Sequence, residues 1–212
     1  MSVSSSKEVI LKKIRKALST STPIPFPQSE GNNSLYQPSQ KELEVQFAEE
    51  FTKLLGKFIF CLDAMELKSK LTDLCSIKNL DKVYYDEDNS GLMVLLQDSL
   101  AFPNGTKDLN NCDAAITTCE YLVARTGSIV LSTLNGGRTS SVYAPIHICI
   151  AHTSQLVYDI KDALQLVKEK YAGNMPSLIT FATGPSRTAD IEKTLVVGVH
   201  GPKEVYVFLV DS

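Results

Sequence analysis

The 212 residues of this chain suffice for one domain of ordinary to large size with a proper core. A hydrophobic share of 43% and a charged share of 21% are those of a globular protein, and 21 Lys+Arg against 24 Asp+Glu leave a formal charge of only -3, so no basic field exists to gather nucleic acid. No apolar run approaches the roughly 20 residues that cross a bilayer, and the first residues lack the apolar core of a secretory signal, so the expected location is the cytoplasm.

In chain order, residues 7–18 read as an amphipathic helix, with Ile10, Ile14 and Leu18 on one face and Lys12, Lys13, Arg15 and Lys16 on the other. Residues 19–39 are rich in Ser, Pro and Asn, and Pro23, Pro25, Pro27 and Pro38 forbid regular helix. Residues 1–38 are therefore expected as an N-terminal helix and arm, suited to an oligomer contact, and 39–212 as a single domain. The spacing of Leu43, Phe47, Phe51 and Leu55 predicts a helix over 41–55. Then follow a strand at 58–62, a helix at 64–75, a strand at 82–85, an apolar run at 91–97 that suits either, and a loop over 98–111. Strands are expected at 114–117, 128–132 and 146–151, a helix at 159–171, and strands at 177–181 and 205–210. This alternation predicts an α/β fold with a mostly parallel sheet flanked by helices.

The five cysteines, Cys61, Cys75, Cys112, Cys119 and Cys149, are scattered, which suits small buried hydrophobes and neither a disulfide framework nor an iron-sulfur or zinc cradle. Three groups of residues suit an anion. Gly184-Pro185-Ser186-Arg187 follows an expected strand, and a short helix opening at Ser186 or Thr188 would aim free N–H groups and the Arg187 guanidinium at a carboxylate or phosphate at the strand's carboxyl end. The same residues also suit a capped turn, with Arg187 and Asp190 as a surface pair.

Glu120 and Thr126-Gly127-Ser128 lie between expected strands, where a carboxylate and a hydroxyl-rich turn can share one crevice and Gly127 lets a ligand approach the backbone; a plain turn before a buried strand reads equally well. Arg138, in the loop Asn135-Gly136-Gly137-Arg138, suits either a mobile lid over a bound anion or an exposed hairpin connection. His147 reads as a hydrogen-bonded core histidine. His200, framed by Gly198 and Gly201-Pro202, sits in a constrained loop where an imidazole can act as acid, base or donor.

Residues 124–131 (ARTGSIVL), 144–150 (APIHICI), 184–192 (GPSRTADIE) and 198–202 (GVHGP), in that order, resemble the lactate utilization protein C family, also called the LUD domain. The resemblance is close over the second half of the chain and covers residues 57–112 in outline. It implies a fold related to the ribose-phosphate isomerase and CoA-transferase superfamily, and a role in oxidising L-lactate to pyruvate beside iron-sulfur partner proteins. CoA-transferases use a glutamate nucleophile, but no motif aligns Glu120 with it.

The leading expectation is a lactate-utilization protein that binds a small carboxylate or phosphorylated ligand at the strand carboxyl ends. Thr126, Gly127, Ser128, Arg138, Gly184, Ser186, Arg187 and Gly201 are the binding candidates, and Glu120, Asp190 and His200 the candidates for chemistry. No cofactor is expected in this chain, iron-sulfur clusters belonging to partners, since no cysteine cluster or dinucleotide signature supplies an electron carrier. The alternatives are an assembly subunit with a vestigial pocket, and a stand-alone isomerase or transferase acting on a sugar phosphate or acyl-CoA.

Overall fold

Apolar residues every third or fourth position build the helices, and short β-branched runs between them build the strands, in a computed structural model that describes residues 5–19, 41–85, 105–106, 108–134, 139–189 and 195–211. Contacts divide the chain into two units, 1–38 and 39–212. In the first, α1 (Ser5–Ser19) carries Glu8 in its first turn and Lys16 in its last, in keeping with the helix dipole, and Val9, Ile10, Leu11 and Ile14 are exposed.

In the second unit, six strands form a wholly parallel sheet: β1 (Lys57–Cys61), β2 (Val83–Tyr85), β3 (Gly105–Thr106), β4 (Ala114–Thr118), β7 (Ile146–His152) and β12 (Glu204–Val210), in the spatial order β1-β12-β7-β4-β2-β3. Successive side chains alternate between its faces. Ile116, Ile148, Ile150 and Phe208 pack with Leu67, Leu71 and Cys75 of α3 (Ala64–Lys78). Cys149, Ala151, Val207 and Leu209 face the other way, onto Phe47 and Phe51 of α2 (Leu43–Lys53), whose rings stack 5.3 Å apart. Asp63 caps α3 by accepting from the Glu66 amide, and Asn79 closes it in the left-handed conformation.

A second sheet joins α2 on that other face. It contains β5 (Tyr121–Val123), β6 (Ser128–Ser132), β8 (Leu156–Val157) and β9 (Ile179–Ala182), ordered β8-β5-β6-β9, with β6 antiparallel to both neighbours. Helix α4 (Ile160–Lys170), started by a capping box of Asp159 and Asp162, packs Ala163 against Val123 and Val130.

The expected helices over 41–55, 64–75 and 159–171 are present, as is the mostly parallel sheet flanked by helices. Two expectations need correction. The strands at 128–132 and 177–181 belong to the second sheet and run antiparallel to each other, so they do not complete the parallel one. No helix opens at Ser186 or Thr188: β10 (Arg187–Ala189) pairs with β11 (Leu195–Val197) as an antiparallel ribbon. The hydroxyls that suit caps also suit strands, and here the pairing partner decides. The apolar run 91–97 and nearly all of the arm 19–39 lie outside the described residues, while the expected loop 98–111 contains β3 and a 3-10 turn at Leu109–Asn111. Among the described residues no helix is long and apolar enough to cross a membrane.

Candidate functional site

The segment after β9 and the loop before β12 are locked together by main-chain bonds. The Ser186 amide donates to the Pro202 carbonyl at 3.0 Å, the Gly198 amide to the Ser186 carbonyl at 2.9 Å, and the Lys203 amide to the Pro145 carbonyl at 2.8 Å. A Cβ on Gly201 would lie 2.8 Å from the Ser186 Cβ, so the two loops touch directly. The result is a cleft of about 420 Å³ walled by Val142, Tyr143 and Val199 and edged by His200 and Lys203. Neither side chain has a described partner, and both are exposed. An ammonium and an imidazole beside small apolar walls suit a short carboxylate with an apolar tail.

This cleft lies beside Pro145 and Lys203, just before β7 and β12 begin, at the amino-terminal ends of the parallel strands. Ser186 does follow the carboxyl end of β9, while the cleft it borders with Gly201 and His200 lies at the amino-terminal ends of the parallel strands. The reason is the connection: β9 belongs to the second sheet, so the turn after it leads to the amino-terminal ends of β7 and β12 in the parallel sheet. Arg187 is exposed on β10 opposite Val197 and is not part of the cleft lining.

Two of the expected motifs do meet. The Ser128 hydroxyl stands 2.8 Å from that of Thr126 and 2.9 Å from that of Thr183, one chain of hydroxyls joining the two glycine turns. The glycines, however, serve the fold. Gly127 (φ 58°) faces the backbone of Glu50 and Phe51, where a Cβ would come within 2.6 Å, and Gly184 (φ 75°) faces the Leu54 carbonyl oxygen, where one would come within 2.4 Å. Both left-handed turns allow helix α2 to approach, in place of the ligand expected at Gly127.

Glu120 lies at the far end of β6 from this hydroxyl chain, so it does not share a crevice with Thr126-Gly127-Ser128. Its side chain is fully buried and accepts from the Ser132 hydroxyl at 2.6 Å, the Tyr171 hydroxyl at 2.8 Å and the Lys170 ammonium at 2.8 Å. Burial opposes the charge of Lys170, but its hydrogen bond and charge attraction to Glu120, with Tyr171 beside it, together outweigh that and hold the ammonium above the usual lysine range. Burial and the same carboxylate push Tyr171 up. With three donors already bound, Glu120 acts as the anchor joining β5, β6 and α4. Arg138 and Asp190 lie outside the described residues.

The LUD domain family model matches residues 45–210. The chain belongs to the LUD domain family. Among curated relatives it is similar to the lactate utilization protein C of Anoxybacillus flavithermus, 30% identical over 186 residues covering 82% of this chain and 83% of that one. The Geobacillus protein of the same name is 34% identical, with 70% of each chain covered. For the Bacillus licheniformis lactate utilization protein C, identity is 35% over 58% of this chain, which spans about half of that relative, 53%. The match spans 45% of a Neisseria meningitidis relative and 44% of a Shouchella clausii one. A crystal structure of a DUF162 family protein from Deinococcus radiodurans shares the fold, with a TM-score of 0.61 at 20% identity over 82% of this chain and 99% of that one.

One further polar cluster of this LUD domain carries no local signal in the sequence. Glu204 is held between Lys57 and Lys78 (2.8 Å) and accepts from the Tyr206 hydroxyl at 2.6 Å. Burial pushes its carboxyl up, but the three hydrogen bonds prevail and bring it down to about 2. These partners are 126 and 147 positions away for Lys78 and Lys57, and no local signal reports them. His147 is the core histidine the alternation predicts: fully buried, its Nε2 2.8 Å from the Thr117 hydroxyl, its Nδ1 without a described partner, and its pKa lowered by burial to about 4. All five cysteines are free and buried, and no three His, Cys, Asp or Glu side chains group as a metal site among the described residues.

Proposed function

We propose that this LUD domain protein serves lactate utilization, the oxidation of L-lactate to pyruvate, and that it holds a small carboxylate in the cleft before β7 and β12 while iron-sulfur partner proteins take the electrons. The observation that carries the reading is the likeness to proteins named lactate utilization protein C across 70% and 82% of this chain. The cleft supports it chemically. Lys203 supplies a positive charge for the carboxylate, His200 a hydrogen-bonding ring for the hydroxyl or keto oxygen, and Val142 and Val199 an apolar wall for the methyl group. The protein works in the cytoplasm, where the reduced partners reside.

The test is thermal stability of the purified protein against L-lactate, pyruvate, sugar phosphates, CoA and nucleotides, with Lys203→Ala and His200→Ala in parallel. At 100 times the dissociation constant the stabilisation is about 2.7 kcal/mol, large enough to see. A shift with lactate or pyruvate that both variants abolish supports the proposal. No shift with any ligand transfers the function to assembly of the partners, and a shift with CoA or a sugar phosphate alone favours a transferase or isomerase.

A further inference from the structure

Two surfaces of this chain are unfinished in complementary ways. The first is a groove of about 520 Å³ between α2 and β1, at the carboxyl ends of the parallel strands and separate from the His200 cleft. Its floor is apolar: Val45 is 49% exposed and Phe60 36%, with Phe58 and Ala48 beside them. Its rim is acidic, formed by Glu42, Glu44, Glu49 and Asp211. Of these, Glu49 is paired with Lys41 and Asp211 accepts from Thr153, while Glu42 and Glu44 have no described partner. β1 is also the edge strand of the sheet, with no neighbour beyond it among the described residues. An exposed edge with bare aromatic side chains invites cover.

The second surface is α1. It carries Lys7, Lys12, Lys13, Arg15 and Lys16 against the single acid Glu8, and an apolar stripe at Ile10, Leu11 and Ile14 that is 57%, 38% and 48% exposed. A lone 15-residue helix is marginal in water, where nucleation is costly and tertiary burial supplies most of the stability. Such a helix requires a surface with an apolar floor and negative edges.

We propose that the groove between α2 and β1 is a docking site for the basic helix α1 of a second copy of this chain, making the protein a dimer by exchange of its N-terminal helices. Ile10 and Ile14, one helical turn apart, lie over Val45 and Phe60, and Lys13 and Arg15, which flank that stripe, meet Glu42 and Glu44. This contact is independent of what the His200 cleft binds.

The experiment is the solution mass of the full chain by light scattering, for the wild type, for Glu42→Lys/Glu44→Lys, for Lys13→Glu/Arg15→Glu, and for all four substitutions together. The wild type is expected at twice the 23.3 kDa chain mass, each pair alone at the single mass, and the fourfold variant restored to the double mass. Restoration shows that the single pairs fold and lose only the charge match. A wild type at 23.3 kDa overturns the proposal, as does a dimer that survives either pair or a fourfold variant that stays monomeric.

Discussion

Gly127 stands so close to Phe51 that a Cβ on it would lie 2.6 Å from the Phe51 backbone nitrogen. The turn before β6 is thereby fitted to helix α2. Gly127→Ala adds left-handed strain to a clash with main chain that has nowhere to go, and is expected to cost about 3 kcal/mol. Gly173, also left-handed at φ 86° but with nothing within 4 Å of a Cβ, serves as the control, and Gly173→Ala should cost only about 1–2 kcal/mol. Urea unfolding of both variants checks the difference; equal losses would remove the α2 contact from the account.

The buried Glu120 carboxylate sets a ranking. Glu120→Ala strands the Ser132 and Tyr171 hydroxyls and the Lys170 ammonium, and should cost about 3–5 kcal/mol. Glu120→Gln keeps an acceptor for one hydroxyl and should cost about half of that. Lys170→Ala leaves the buried carboxylate with two hydroxyl donors and no counter-charge, and should cost about 3 kcal/mol. Any other order in equilibrium unfolding contradicts an anchoring role.

Acid should weaken the fold in two successive windows. His147 is lowered by burial to about 4, so the unfolded chain binds its proton first, and stability falls as pH drops from about 6.5 to 4. Glu204 is lowered to about 2, so its contribution is complete above its unfolded value near 4.5 and disappears as pH falls from there towards 2. The His147 window amounts to about 3 kcal/mol at 1.36 kcal/mol per pKa unit, and the Glu204 window to less, because that part-exposed cluster is screened by water. Stability measured from pH 7 to 2 should lose the lower window in Glu204→Gln and keep the upper one.

Much of this architecture was readable because it repeats locally. Phe47 and Phe51 one turn apart announced α2, and Ile146, His147 and Ile148 in alternation announced β7 with its buried histidine. Strands of two or three residues, such as β5, β8 and β10, are too short to carry a period, and strand direction leaves no trace in one strand's composition, so the second sheet stayed hidden. Gly127 was read as a point of close approach and Gly184 as part of a turn, but only the fold reveals that α2 is what approaches both. Burial of Glu120, and the clamp of Lys57 and Lys78 on Glu204, join residues far apart in sequence. Ser186 and Gly201, in segments on either side of the β10–β11 ribbon, touch in the fold, and where they lie followed from the unseen sheet.

The thiols supply a check on the core. The neighbouring Cys149 thiol, together with burial, keeps the Cys119 thiol well above the usual range. With all five buried, a water-soluble disulfide reagent at neutral pH should modify none of them rapidly in the native protein and all five after unfolding. A fast-reacting thiol in the folded protein would mean that part of the core is open.

The central claim is that the cleft edged by His200 and Lys203 receives a small carboxylate, and amide-resolved NMR titration with L-lactate and pyruvate tests it most directly. Saturating shifts are expected at residues 198–203 and at Ser186, absent in Lys203→Ala. Shifts confined to Thr153 and Asp211 at the opposite strand ends, or no shifts at high ligand concentration, would contradict it.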